Sequence, residues 1–209
     1  MFYLPSYTLK LIFIFIFCII FGKIQFAQKD TTVFDKKKEI VYDNKRYRVY
    51  NNWISVGAGV GYNSRWPKDE RNIGADFNFY VKEHVLRLGG FLSGTNFTSA
   101  NNYSFHLCYN YRKEGEKYNF SAALGPSTSY FRRPLKDSTN YNLSKVYNEI
   151  GAYAVVEAVY KFKYDVGIGG QIFCDYNQVQ MVYGVRFILY FSSAYRGVKY
   201  GNRGPAKKK

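Results

Sequence analysis

MVYGVRFILYF, residues 181–191, is apolar enough to sit in a membrane or a core and yet carries an arginine at its midpoint. Met181, Tyr183, Val185, Phe187, Leu189 and Phe191 fall on one face of an extended chain, and Gly184 and Arg186 fall on the other. A soluble β-sandwich or lipocalin-like barrel turns its apolar face inward and its charges outward, and alternation alone also describes those folds. Here the face opposite Arg186 is wholly apolar. Hydrocarbon is the environment in which such an outer face is comfortable, and Arg186 then points into a closed interior.

The same two-residue period runs back to Trp53. In WISVGAGVGY, Ile54, Val56, Ala58 and Val60 oppose Ser55, Gly57 and Gly59. In NIGADFNFYVKE, Ile73, Ala75, Phe77, Phe79 and Val81 oppose Gly74, Asp76, Asn78, Tyr80 and Lys82. YSFHLCYNYR sets Tyr103, Phe105, Leu107, Tyr109 and Tyr111 against Ser104, His106, Cys108, Asn110 and Arg112. YNFSAALGPSTSY, VLRLGGFLS, NEIGAYAVVEAVYKF and YDVGIGGQIFCDY complete a set of eight strands of about nine to fourteen residues, enough to cross a tilted bilayer path. Long polar links at SRWPKDER, TNFTSANN and RRPLKDSTNYNLSKV alternate with short ones at KEH, KEGEK and FKYD; the link near NQ is short where a loop is expected. This is the expected layout of an all-β, eight-stranded antiparallel transmembrane barrel, with loops outside and both termini in the periplasm.

An eight-stranded barrel encloses only enough space for side chains, so its inward charges must pair. The expected lumen cluster is Asp76, Arg87, His106, Glu149, Glu157 and Arg186, with Arg112, Lys161, Asp165 and Asp175 on the same face. Arg186 is expected to pair with Glu157 or Asp76. Aromatic residues make up 20% of the chain, an excess that suits interfacial girdles. Tyr109, Tyr111, Tyr118, Phe120, Tyr160, Phe162, Tyr164, Phe187 and Phe191 are expected on the turn side, and Tyr62, Trp66, Tyr103, Tyr130 and Tyr176 on the loop side.

Four segments follow. Residues 1–27 read as a signal peptide: LKLIFIFIFCIIFG is a lysine followed by an apolar run short for a span, and cleavage is expected after Ala27. A lipidated Cys18 and a retained anchor are the alternatives, disfavoured by bulky Phe17 and by the length of the run. Residues 28–52 form a basic periplasmic segment in which IVYDNKRYRVY suits a hairpin about Asp-Asn. Residues 53–191 are the barrel. Residues 192–209 form a basic, Gly-rich tail with Arg196, Lys199, Arg203, Lys207, Lys208 and Lys209, expected to lack fixed structure.

The alternating region resembles the small outer-membrane barrels of the OmpA/OmpX type, and VYGVRFILYF resembles their C-terminal insertion signal. On that resemblance Tyr183, Phe187 and Phe191 carry the signal, although family members often end on that aromatic and this chain continues. The Ala-Gln cleavage site and the Tyr/Asn/Lys-rich composition resemble Bacteroidota envelope proteins, where small barrels accompany secretion or assembly machines. The resemblance implies a non-enzymatic accessory subunit of an envelope complex.

The charge of +15 would ordinarily suggest nucleic acid; export removes that reading. Partners expected instead are outer-membrane lipid and other envelope proteins, with the tail contacting anionic headgroups, the cell wall or an acidic subunit, or simply solvated. A lipid A-modifying enzyme and a narrow pore are the rival functions. The former needs a Ser/His-type site at the outer rim, whereas His84 falls in a turn and His106, with Ser104 two residues before it, in the lumen. GAGVG lies within a strand and is followed by no helix, so it is no nucleotide loop. Two histidines and two cysteines lack metal-ligand spacing. No catalytic residue, metal site or cofactor is expected.

Overall fold

The computed structural model describes residues 39–42, 44–64, 66–96, 99–134 and 144–198. The signal segment, the remainder of the N-terminal basic segment and Lys199, Arg203, Lys207, Lys208 and Lys209 lie outside them. Eight strands form the barrel: β3 (Trp53–Asn63), β4 (Trp66–Val81), β5 (His84–Asn96), β6 (Ser99–Glu114), β7 (Tyr118–Pro134), β8 (Ser144–Lys163), β9 (Val166–Asn177) and β10 (Met181–Ser192). Each pairs antiparallel with its sequence neighbour, and β10 closes the ring on β3 in unbroken register from Val182↔Asn63 to Ser192↔Trp53. Closure leaves no barrel edge, which hydrocarbon requires because it offers backbone groups no partner.

The alternation decides which way each strand faces. Phe187 is 60% exposed and Ile172 65%, whereas Arg186, between apolar neighbours in sequence, is 3% exposed. Val56, Ile73, Phe77, Leu88, Phe105, Leu107, Val156, Val185 and Leu189 join the outer face. Asp76, Arg87, His106, Glu157, Gln171 and Asp175 are buried inside. Such a continuous apolar exterior around an ionic interior suits a membrane-spanning barrel and would be an aggregation hazard in water. Cys108 is buried in the lumen and Cys174 belongs to the outward set of β9, so the two thiols face opposite ways. Pro126, which has no N–H to donate, lies in mid-strand, and the β6–β7 register passes from His106↔Ser127 to Tyr109↔Leu124 without pairing Leu107 and Cys108.

The strands exceed the expected lengths. β4 and β6 have 16 residues, β7 has 17 and β8 has 20. SRWPKDER and TNFTSANN are therefore mostly strand. Hydrophobic periodicity fades there because neither face of a hairpin beyond the bilayer meets hydrocarbon, although the backbone ladder continues. Roughly ten residues suffice for a tilted span, so β7 and β8 project past it at the end opposite the turn joining β8 to β9.

Three short strands form a second sheet. β1 (Glu39–Tyr42) pairs with β2 (Lys45–Arg48) about a turn in which Asn44 has a φ of 56°, a left-handed conformation that asparagine tolerates. β11 (Tyr195–Val198) pairs with the other side of β2, with a bulge between Tyr195 and Gly197. The expected hairpin in the basic segment is present. The expectation that the tail lacks structure is corrected for residues 195–198, where YRGV pairs with the open edge of β2.

With the apolar face on lipid, Phe187→Arg places a charge near the middle of the span. It should lower unfolding stability in phosphatidylcholine bilayers by about 2–4 kcal/mol, read by urea titration of tryptophan fluorescence. Arginine replacing exposed Lys113, beyond the span, should be nearly neutral.

Candidate functional site: the packed lumen and its closure

At the centre of the barrel, Arg87 of β5 joins two carboxylates. Its Nη2 donates to Asp76 Oδ2 and to Glu157 Oε2, both at 2.7 Å. The partners come from opposite directions around the ring: Asp76 from the adjacent β4 and Glu157 from β8. All three are 0–2% exposed, and a carboxylate in such a place costs several kcal/mol unless compensated. Ser55 donates to Glu157 Oε1 at 3.1 Å and Gln171 to Asp76 Oδ2 at 2.9 Å. His106 Nε2 lies 2.7 Å from Asp76 Oδ1, and its ring stacks on Tyr153 at 3.7 Å between centroids. Gly89 makes this approach feasible, because a Cβ there would overlap Asp76 Oδ1 and crowd His106 Nε2.

Arg186 is held differently from expectation. It bonds to Asn72 Oδ1 at 2.6 Å, to Gln171 Oε1 at 3.0 Å and to Tyr153 Oη at 3.4 Å. Its guanidinium lies 3.8 Å over the Phe173 ring and 4.8 Å from that of Phe91. Desolvated cation–π contact and neutral acceptors therefore surround it. The expected pairing with Glu157 or Asp76 is corrected: register gives those carboxylates to Arg87, and Gln171 links the two groups. Gly74 supplies the space, since a Cβ would crowd Arg186 Nη1.

Glu149 is a member of the expected cluster that the fold does not bring in, and Asp165, expected on the same face, lies in the turn between β8 and β9. Glu149 shares the inward parity of β8 but is half-buried opposite Ser129, farther toward the projecting end. That end holds a separate neutral-acidic network. Asn63 and Ser93 donate to Glu70, Asn63 also to Gln180, and Ser127 and Ser129 donate to Asp175 at 2.6 and 2.8 Å.

The other end is closed by aromatic rings and a third charged group. Arg112 lies 4.0 Å over the buried Trp53 ring. It donates to Asn119 Oδ1, Tyr190 Oη and Asn51 O, and sits 3.0 Å from Glu114, which also takes Lys161 at 2.9 Å. Below this, Tyr47 of β2 and Ala194 pack with Tyr164, and Ile40 and Tyr42 join them. Tyr164 is thus 2% exposed, a correction of its expected place in the outer girdle; burial pushes its phenol up from the usual range. Arg48 N donates to Ala194 O, and Ser193 N to Asn52 O, tying the small sheet to the barrel. The sequence reading missed Glu114 and Tyr153, although both share the inward parity of their strands. It had no means of finding the cap, which joins segments far apart in sequence.

Tyr183, Phe187 and Phe191 are exposed on the outer face of β10, and Arg196 is exposed on β11. Among the described residues no group of histidine, cysteine and carboxylate side chains has the arrangement of a metal site. His106 is packed within the lumen rather than at a rim. Its contacts, and those of its neighbours, fit a polar core.

No protein-family model and no curated protein sequence matches the chain. Solved structures do. The N-terminal β-barrel domain of Pseudomonas aeruginosa OprF aligns with a TM-score of 0.50 at 10% identity, covering 68% of this chain and 97% of that one. Neisserial surface protein A aligns with a TM-score of 0.53 at 8% identity, covering 67% and 96%. At such identities the likeness is one of fold, and the fold is that of small outer-membrane barrels.

Arg87→Met strands two buried carboxylates and should cost about 3–5 kcal/mol in urea unfolding. D76N/R87M/E157Q, which removes the charges together, should recover most of that loss. A single R87M cost below 1 kcal/mol would show that Arg87 does not organise the lumen.

Proposed function

We propose that the protein is a non-enzymatic integral barrel of an outer membrane, acting as an accessory subunit of an envelope complex, with its capped end in the periplasm. The reading rests on one observation above others: the lumen is packed and one mouth is covered by a sheet built from segments on both sides of the barrel. A filled and covered interior does not suit conduction, and its only buried histidine is held by Asp76 and Tyr153. What remains available for recognition is the surface beyond the lipid. At one end that is the projecting β7–β8 hairpin, and at the other the basic cap. The projecting hairpin supports an outward orientation for its end.

Gentle-detergent purification of the full chain should retain fixed protein partners that are lost when residues 192–209 are deleted. Lipid A mass spectra from a deletion strain should be unchanged. An altered acylation pattern, restored by the wild-type gene, would replace this proposal with the lipid A-modifying enzyme.

A further inference from the structure

The inner face of the β1–β2–β11 cap is committed to the barrel through Ile40, Tyr42 and Tyr47. By alternation Glu39, Val41, Arg46 and Arg48 occupy its other face, which points away from the barrel end. Arg196 is exposed on β11 beside Gly197, the residue paired with Arg46. Among the described residues of these strands the only carboxylate is Glu39, and it lies 3.7 Å from Arg46. Arg48 and Arg196 have no acidic partner among the described residues. In the sequence, Lys36, Lys37 and Lys38 directly precede β1 and Lys199 directly follows β11. Three guanidinium groups on so small a sheet repel one another, and the cap's described carboxylate, Glu39, is close only to Arg46.

We propose that this outer face docks an acidic, extended polypeptide segment of a partner protein. The inference rests on the accessory-subunit reading and names the chemistry of its partner. Arg46 and Arg48 stand two residues apart on one strand, about 6.6 Å along it. Carboxylates at alternate positions of an extended chain recur with the same spacing, and each guanidinium can take one in a forked pair. Arg196, on the adjacent strand, widens the row. The cap's inner face packs on Tyr164 at the barrel end, so Arg46 and Arg48, on its opposite face, are turned from that contact. A face lying beyond the barrel end favours a soluble segment over headgroups of the same membrane.

The test uses the full chain in phosphatidylcholine nanodiscs and a fluorescent twelve-residue peptide of alternating threonine and glutamate, read by anisotropy. R46Q/R48Q/R196Q should weaken binding at least tenfold. K82Q/K113Q/K117Q, which removes equal charge from exposed sites at the same barrel end, should change it less than twofold. A peptide with its six glutamates consecutive should bind at least threefold more weakly than the alternating one. Equal losses in the two triple variants, or equal binding of the two peptides, would reduce the effect to net charge and overturn the proposal. Phosphatidylglycerol vesicles that bind through the same arginines while the peptide does not would overturn it in favour of a lipid contact. Heat-modifiable migration in gel electrophoresis confirms that each variant is folded. If native partners stay attached to R46Q/R48Q/R196Q, the docking face is wrong and the subunit reading stands. If the peptide binds as expected but the full chain retains no partner, the subunit reading fails by itself.

Discussion

Everything in this structure follows from the cost of placing an ion inside a ring of eight strands. The ring is too narrow for bulk water to solvate a charge, and hydrocarbon outside it offers no relief. Asp76 and Glu157 are tolerable because one guanidinium, that of Arg87, reaches both at 2.7 Å. The rest of the lumen is arranged around that group. Glycine at position 89 lets His106 and Asp76 meet, Gln171 carries the network on to Arg186, and aromatic rings take the flat faces of Arg186 and Arg112. The result is an interior filled in three zones. With the inside committed to its own stability, the surfaces left over are the outer wall and the two ends.

The cap makes one end unlike the other. The chain leaves β10 at Ser192, turns at Ser193 and Ala194, and returns as β11 to pair with β2, which precedes the barrel. The sheet therefore cannot be complete until β10 and β3 have been brought together, because β2 and β11 belong to opposite sides of that seam. Tyr47 and Tyr164, with ring centroids 4.9 Å apart, anchor it. Its other face carries Arg46 and Arg48.

Much of the barrel was legible because the two environments differ so sharply. A strand between hydrocarbon and a packed polar lumen must alternate, and MVYGVRFILYF does so without exception on its outward face. Pairing inside the lumen was not legible. Parity places Asp76, Arg87, Glu157 and Arg186 on one side of the wall, but only register between strands decides which guanidinium meets which carboxylate. Glu149 shows the complementary limit: it has the right parity and lies too far along its strand. The strand extensions escaped notice because alternation vanishes where both faces meet water. Tyr164 was misplaced because the segment packed beneath it, Tyr47, lies more than a hundred residues away in sequence.

The central claim is the direction in which the side chains face, and isoleucine methyl groups report it most directly. With these methyls labelled in the full chain reconstituted in lipid nanodiscs, contacts to acyl-chain protons can be read by nuclear Overhauser spectroscopy. Ile54, Ile73, Ile168 and Ile172, all on the outer face, should show them, and Ile188, 1% exposed inside the ring, should not. Acyl-chain contacts at Ile188 with none at Ile172 would contradict the account at its root.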